Sequence, residues 1–248
     1  MLNTLSSNRR ISHDEGIRIF EIGHVYLPNE KLKERKLPEE REMLSGILSG
    51  PRSPVSWLDK QETMNFYDAK GVLESISHQL GILLEYEPSQ DPILHPGKTA
   101  RLVCNSSVVG IVGEIRPNVL EDFDIENGSA TLFELDLKSL LRTIKIVERP
   151  YLSISKFPES YRDLTLTVNA DVTSASITTA MEKHDLVVKA SLFDLYSGPA
   201  IPDGKKSVTY RVIFQSPTGT LTAKQVDIAQ KKILGQLQQQ MGAELRVQ

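Results

Sequence analysis

The sequence predicts an α+β protein of two domains, a mixed antiparallel domain over residues 1–150 and a smaller domain over residues 151–248. Short segments of alternating polar and apolar residues recur along the chain, which is typical of strands with one solvated face. A few longer segments carry an apolar stripe at helical spacing. Residues 142–158 combine charges with two prolines and show no sustained helical pattern, so we place the boundary near residue 150.

The composition indicates a soluble globular protein. The chain has 248 residues, is 40% hydrophobic and carries a net charge of −3. No apolar window is long enough for a membrane span and the first residues lack the core of a signal peptide, so we expect a cytoplasmic location. Residues 151–248 hold 11 basic against 9 acidic side chains, so an RNA contact is permitted there but not required. The single cysteine, Cys104, lies in an apolar run and is expected to be buried.

The second domain begins with a predicted strand, helix and strand. Polar and apolar residues alternate over residues 162–168, and Asp171 or Thr173 can cap the helix that follows. Residues 187–196 are rich in strand-forming side chains and stop at the turn signal SGPAIPDG.

A third strand, a helix and a final strand complete this domain. Residues 207–215 alternate, with Val208, Tyr210, Val212 and Phe214 on the apolar side. Thr222 and Gln225 have the spacing of a capping box, the helix ends at Gly242, and AELRV supplies the last strand. The order β-α-β-β-α-β is the ferredoxin-like split motif, in which two helices cover one face of four antiparallel strands and the other face stays open.

The first domain reads as a mixture of strands and fewer helices. The main helix is predicted over residues 66–80 with Gly81 as its C-cap, and Pro117 opens a short helix. HPGK, residues 95–98, is interpreted as a turn and not as a phosphate loop. The strand candidates are residues 16–26, 41–50, 100–104, 108–115 and 131–137.

Several runs in the same order resemble the beta subunit of bacterial phenylalanyl-tRNA synthetase. In the first half they are RIFEIGHVY, FYDAKGVLESI, HPGKTARL, VGIVGEIRP and LFELDL; in the second they are FPESYRDLTLTV, LFDLYSGPAIPDGKKSVTYRVIFQ, TLTAKQV and GAELR. The resemblance implies a catalytic-like module with the class II synthetase fold over residues 1–150 and a ferredoxin-fold anticodon-binding domain over about 153–248. It also implies that the chain is a piece of a longer subunit whose amino-terminal modules are absent.

The sequence offers no catalytic or metal site. A class II active site needs one arginine at the ATP α-phosphate and a second at the γ-phosphate, because cations neutralise the developing charge, and neither stands where the family pattern requires it. The five histidines never occur at ligand spacing. Glu134 and Asp136 share one side of a strand, where a solvated face is favoured over an acid/base pair. The piece is expected to be inactive alone and to hold no cofactor.

The resemblance assigns a tRNA-binding role to the open face of the second domain. Asp194 and Tyr196 are two residues apart and so point the same way, while Phe193 and Leu195 are expected to point into the core. A carboxylate can accept both Watson–Crick donors of guanine, and a phenol can stack on the base. The family reads the first anticodon base, a guanine, from this strand, which implies these roles for Asp194 and Tyr196. The resemblance implies Ser207 as a hydrogen-bond donor on the adjacent strand.

Four cations are expected to hold phosphates near that face. They would contribute sequence-independent and salt-dependent affinity, and they are Arg162, Lys205, Lys206 and Arg211. Without the resemblance, Asp194 reads as a turn or strand-edge residue, and the two lysines read as the solvated flank of a hairpin.

The resemblance implies tRNA(Phe) and a synthetase alpha subunit as partners in an alpha-2 beta-2 holoenzyme, in which the alpha subunit uses ATP and magnesium. DNA and membranes are not expected partners. Two alternatives stay open. An RNA-recognition-motif protein shares the element order, but it needs aromatic side chains on the open face of its third strand, where Tyr210 and Phe214 are expected on the buried face. A protein-interaction scaffold without a synthetase role is the second.

Overall fold

The computed structural model describes residues 1–11, 15–28, 38–58, 60–125, 128–144 and 155–246. The chain divides into two units, Met1–Arg149 and Pro150–Gln248. The boundary predicted near residue 150 lies outside the described residues. Each unit has its own sheet and its own hydrophobic core.

Six antiparallel strands form the sheet of the first unit. They lie in the order β1-β2-β6-β5-β4-β3, and every neighbouring pair is antiparallel. The bounds are β1 Ile17–Leu27, β2 Glu39–Ser49, β3 Glu85–Pro88, β4 Leu94–Cys104, β5 Ser107–Ile115 and β6 Ala130–Asp136.

The helices described beside this sheet are α1 Leu2–Arg9, α2 Phe66–Leu80, α3 Pro117–Asp122 and α4 Leu137–Thr143. Helix α2 has the bounds that the apolar stripe predicts. Asn65 and Asp68 form a capping box at its start, and Gly81 ends it in the left-handed region at φ 67°.

The first sheet has a hydrophobic cluster on each face. One contains Ala69 and Leu73 of α2 packed with Phe133 and other strand residues. The other contains Leu5 of α1 with Ile47 and neighbours from several strands. Gly46 of β2 lies beneath the Phe133 ring, and a Cβ at Gly46 would lie 2.2 Å from that ring. Only glycine allows this close approach.

The second unit confirms the ferredoxin-like order. Its elements are β7 Ser160–Asn169, α5 Ser174–Glu182, β8 Val187–Tyr196, β9 Lys205–Phe214, α6 Ala223–Met241 and β10 Glu244–Leu245. The four strands lie in the order β10-β7-β9-β8 and are antiparallel. Thr173, and not Asp171, caps α5, and Thr222 with Gln225 forms the predicted capping box of α6.

The core of the second unit lies between one sheet face and the two helices. The predicted apolar side of β9 is buried, including Tyr210 and Phe214. These residues pack with Ile177 and Met181 of α5 and with apolar residues of α6. The Tyr210 hydroxyl is satisfied by Ser174 Oγ at 2.7 Å, so the buried phenol leaves no unpaired polar atom.

Four features of the first unit differ from the sequence prediction. Strand β3 and helices α1 and α4 were not predicted, since each is short and gives little periodic signal. Residues 95–98, predicted as a turn, lie inside β4, where the register with β5 shifts between Leu94 and Thr99. The chain bulges there and does not reverse.

Cys104 is buried, as expected.

Candidate nucleic-acid interface

The second sheet has one face that its helices leave uncovered. Helices α5 and α6 pack against the buried residues of β7 and β9, so the alternate residues of these strands face the other side. Directly paired residues of antiparallel strands share a face. Thr165 pairs with Thr209 on this side, and their hydroxyls lie 3.0 Å apart. We call this side the open face.

Strand β8 places Asp194 and Tyr196 on the open face. Asp194 pairs with Thr209, and Tyr196 pairs with Ser207, both of which belong to the open-face side of β9. The Asp194 side chain is exposed and Tyr196 is 43% exposed. The structure therefore brings the predicted carboxylate and phenol to one surface, and their roles toward RNA stay predictions.

The expectation that Phe193 points into the core is wrong. The register between β8 and β9 shifts between Leu192 and Asp194, which makes Phe193 an extra residue in a β-bulge. The bulge releases Phe193 from the alternation, and its side chain is 66% exposed. Leu195 pairs with buried Val208 on the helix side, yet it is also exposed, because β8 is an edge strand.

Ser207 is much less accessible than Asp194 and Tyr196. It lies on the open-face side of β9 between Thr167 and Tyr196, but it is only 4% exposed. The Tyr196 ring extends over the start of the hairpin loop, where a Cβ at Gly198 would lie 2.5 Å from the phenol oxygen. The role of Ser207 as a hydrogen-bond donor to RNA stays a prediction.

Arg162 lies on the wrong side of the sheet for the predicted phosphate contact. It pairs with Val212, whose side chain is buried against the helices. Its guanidinium donates a hydrogen bond to Asp227 Oδ1 of α6 at 3.3 Å. The strand alternation that correctly buries Leu164 puts Arg162 on the same side, so the residue belongs to the helix-covered face.

The two lysines at the hairpin differ from each other. Lys206 pairs with buried Val168, and its ammonium donates to the carbonyl of Ala170 at 2.9 Å. It braces the hairpin on the helix side. Lys205 lies on the open-face side, 3.4 Å from Glu244 Oε1 of β10. An exposed ion pair of this kind contributes little to stability, so Lys205 can exchange its partner for a phosphate.

Arg211 lies at the centre of a cluster that the sequence did not reveal. Its guanidinium donates two hydrogen bonds to the carboxylate of Asp163, each 2.8 Å long. The same guanidinium lies 5.1 Å from the ring centroid of Tyr161 and 5.0 Å from that of Phe193. The Arg211 hydrogen bond holds the pKa of the Asp163 carboxyl below its usual range.

Tyr161 could have been found from sequence and Phe193 could not. Tyr161 precedes Asp163 by two residues, so the alternation that defines β7 already puts it on the open face. The position of Phe193 depends on a bulge, which leaves no periodic signal. The cluster of Tyr161, Asp163, Phe193 and Arg211 is called the aromatic bracket.

The first unit holds a second polar surface. Glu21, Ser45 and Glu134 pair in register across β1, β2 and β6, beside a cavity of about 420 Å³. Burial, with a smaller effect from the charge of Asp91, raises the pKa of the Glu134 carboxyl.

Asp136 is not the second member of an acid/base pair with Glu134. Its Oδ1 accepts a hydrogen bond from the backbone N–H of Ser139 at 2.9 Å and so caps α4. The two half-buried carboxylates therefore have different roles: Glu134 lines the cavity, and Asp136 stabilises the start of α4.

The edge strand of the first sheet carries exposed apolar side chains. Among the residues that the structure describes, β1 pairs with β2 alone, and its Phe20, Ile22 and Tyr26 are all more than half exposed. A long edge strand with apolar side chains exposed is typical of a surface that meets a partner.

Neither a metal site nor a membrane helix emerges from the described residues. Within those ranges, His, Cys, Asp and Glu side chains do not gather in threes as a metal ion would require. His13 falls outside them. No helix in the same ranges combines the length and apolar composition needed to cross a bilayer.

Comparison with known proteins adds two family matches and a set of relatives. Residues 1–137 match the phenylalanyl tRNA synthetase beta chain CLM domain, and residues 155–246 match the ferredoxin-fold anticodon binding domain. The phenylalanine–tRNA ligase beta subunit of Dehalococcoides mccartyi strain CBDB1 is 37% identical over 98% of this chain and 29% of its own length. Those of Geobacillus kaustophilus and Clostridium tetani are 34% and 36% identical, over 30% of their lengths. The chain thus spans less than a third of these relatives.

Proposed function

Because this chain belongs to the phenylalanyl-tRNA synthetase beta chain family, we propose that it forms the tRNA-binding and structural part of a phenylalanine–tRNA ligase beta subunit. The observation that carries the proposal is the pair of Asp194 and Tyr196, exposed together on the open face of the anticodon-binding domain. The ligand is the anticodon of tRNA(Phe), which begins with guanine.

Asp194 and Tyr196 supply complementary contacts to that guanine. The Asp194 carboxylate accepts the two donors on the Watson–Crick edge, a pattern that the other bases do not offer. The Tyr196 ring stacks on the base, and such stacking contributes about 1–3 kcal/mol per base. Specificity therefore comes from the acid, and most of the local affinity comes from the phenol.

Phosphate contacts come from fewer cations than the sequence suggested. Arg162 and Lys206 lie on the helix side and Arg211 is held by two hydrogen bonds to Asp163, which leaves Lys205 as the favoured phosphate contact among the four. Each phosphate neutralised by such a side chain adds a salt-dependent and sequence-independent contribution.

The first unit is proposed to be a catalytic-like module of the class II type that performs no chemistry. Phosphates of ATP need cations, whereas the row of Glu21, Ser45 and Glu134 brings two carboxylates to the cavity. Nearby, Arg41 is paired with Glu39 at 2.7 Å. The alpha subunit then carries the reaction with ATP and magnesium, and no cofactor is assigned to this chain.

The exposed apolar side chains of β1 are the favoured contact for the alpha subunit in an alpha-2 beta-2 heterotetramer. Burying Phe20, Ile22 and Tyr26 would remove apolar surface from water at about 25 cal/mol per Å². The complex is placed in the cytoplasm, where tRNA is charged. A pure interaction scaffold is the competing function, whereas burial of Tyr210 and Phe214 disfavours an RNA-recognition motif.

A titration of the 248-residue chain with tRNA(Phe) tests the proposal. We expect the affinity to fall when the first anticodon base is changed from guanine to adenine, and we expect Asp194→Asn to abolish that preference. Asp185→Asn is the matched control, since it removes the same charge from an exposed residue in the turn before β8. A scaffold would bind both tRNAs alike, with Asp194→Asn and Asp185→Asn indistinguishable.

A further inference from the structure

We propose that the aromatic bracket is a second stacking site, which takes the unpaired nucleobase next to the guanine contacted by Asp194. This inference rests on the proposed tRNA-binding function and deepens it. Its elements are the rings of Tyr161 and Phe193 and the guanidinium of Arg211 between them.

The two rings are presented to solvent in fixed positions. The Arg211 guanidinium lies about equally far from each centroid, at 5.1 and 5.0 Å, so both rings use an attractive cation–π contact. Tyr161 is 64% exposed and Phe193 is 66% exposed, so each keeps ring surface free. Rings already held in place lose little conformational freedom when a base stacks on them, which favours binding.

Asp163 makes Arg211 a positioning residue and not a phosphate contact. Its carboxylate accepts both Nε–H and an NH2 hydrogen at 2.8 Å, which fixes the plane of the guanidinium. The bidentate partner also neutralises the charge that a phosphate would need. Arg211 therefore acts on the ligand through the rings it holds.

The surroundings favour a nucleobase over an apolar protein partner. The bracket contains a charged pair, and the centre of the open face carries the hydroxyl pair of Thr165 and Thr209, so polar groups lie beside the rings. Flat aromatic groups on a polar sheet suit bases, which offer π faces with polar edges.

The position of Phe193 selects the neighbouring base. Phe193 directly precedes Asp194, and consecutive Cα atoms lie about 3.8 Å apart. Because the bulge brings both side chains to the open face, a strand with one base at Asp194 passes beside the Phe193 ring. The two sites then bind consecutive bases of a single-stranded loop.

An RNA stem-loop with a seven-nucleotide loop containing GAA is the probe. We expect Phe193→Ala and Tyr161→Ala in the 248-residue chain each to weaken binding about tenfold, which lies within the range for one stacked base. Tyr67→Ala, which removes a similarly exposed ring from α2 of the first unit, should leave Kd unchanged. Circular dichroism and the thermal midpoint establish that each variant is folded.

An abasic loop nucleotide beside the guanine identifies the ligand of the bracket. With this RNA, Phe193→Ala should no longer weaken binding, because the base that would stack is missing. An unchanged tenfold loss would mean that Phe193 acts on the fold or on another nucleotide, and it would overturn the assignment.

The salt dependence of binding tests the role of Arg211. Arg211→Gln should weaken binding without changing the slope of log Kd against log salt, whereas Lys205→Gln should reduce that slope by about 0.7. A reduced slope for Arg211→Gln would show a phosphate contact and overturn the positioning role.

The two proposals fail in different ways. If the chain prefers guanine and Asp194→Asn removes the preference, while Phe193→Ala and Tyr161→Ala bind within twofold of the original chain, only the second stacking site is overturned. If guanine is not preferred and Asp194→Asn has no effect, the proposed function falls and the bracket falls with it.

Discussion

The two sheets of this molecule treat their faces differently. Clusters of buried residues lie on both faces of the six-stranded sheet, one with α2 and the other with α1 and α3. The four-stranded sheet buries one face against α5 and α6 and leaves the other to threonines, ion pairs and exposed rings. The difference teaches that a sheet with helices on one side only can keep an apolar core and still offer aromatic side chains to a ligand.

The largest expected effect is the loss of stability when a phenylalanine is removed from the buried face of the smaller sheet. The same substitution on the open face gives the comparison. Phe214→Ala removes a fully buried ring and should lower the free energy of unfolding by about 3–5 kcal/mol. Phe193→Ala removes an exposed ring and should cost about 0.5 kcal/mol or less. Urea unfolding of both variants measures the difference. Equal losses would mean that Phe193 belongs to the core and would break the comparison.

A smaller effect is expected from the close packing of the larger sheet. Gly46→Ala puts a methyl group against the Phe133 ring and should destabilise the protein by about 1–3 kcal/mol. Gly71→Ala is the matched control, since a Cβ there meets nothing within 4 Å in the interior of α2. That substitution should stabilise by about 0.5–1 kcal/mol. The thermal unfolding midpoint should therefore fall for Gly46→Ala and rise for Gly71→Ala.

Removing a helix cap should lower the free energy of unfolding by the same amount in either unit. Asn65→Ala and Thr222→Ala each remove the side chain that caps a helix through a capping box, and each should cost about 1 kcal/mol. Thr222→Ser keeps the hydroxyl and should be nearly neutral. Denaturant titration at one pH gives both values. A much larger loss at one cap would show that the helix contributes to its sheet beyond the local hydrogen bonds.

The smallest expected effects are the pH-dependent contributions of two carboxyl groups to stability. They have opposite signs in the two sheets. The pKa of Asp163 is lowered by Arg211, so its ionised form stabilises the folded state above about pH 4 and loses that effect as the pH falls through the lowered pKa. The pKa of Glu134 is raised by burial, so its contribution is present below about pH 4.3 and is lost as the pH rises through the raised pKa.

Substitution of each acid by its amide tests these signs. At pH 7, Asp163→Asn should lower the unfolding midpoint and Glu134→Gln should raise it, while both differences should shrink toward pH 3. The Asp163 effect is reduced by solvent screening, since its ion pair is substantially exposed. Thermal midpoints across this range, with Asp185→Asn as the exposed control, give the comparison. Two shifts of the same sign at pH 7 would contradict it.

The sequence predicts the smaller unit best because its periodicity is strong. Alternation over β9 correctly buried Val208, Tyr210, Val212 and Phe214, and the capping box at Thr222 located α6. The same alternation, applied to β7, would have put Arg162 on the helix side and Tyr161 on the open face. Those two residues were therefore predictable, although Arg162 was assigned to the phosphate contacts of the open face without applying this alternation.

The remaining differences come from register, which single-strand patterns do not contain. The pairing of Asp163 with Arg211 depends on which residues of β7 and β9 lie opposite each other. Burial of Ser207 depends on side chains from two neighbouring strands. In the larger unit, the bulge at residues 95–98 and the four-residue strand β3 are likewise decided by pairing with adjacent strands.

The extra residue in β8 sets the orientation of everything between it and the hairpin. Upstream, Ala190 and Leu192 pair with the buried Val212 and Tyr210, so an uninterrupted strand would continue by turning Asp194 toward the helices and Leu195 toward solvent. Regular pairing that kept Phe193 would therefore exchange the acid for a leucine on the accessible surface, whereas deleting Phe193 would leave Asp194 opposite Thr209. A graft of residues 194–196 onto another strand would work only where the first residue takes a solvent-facing position, because Asp194 and Tyr196 share a face and Leu195 takes the opposite one.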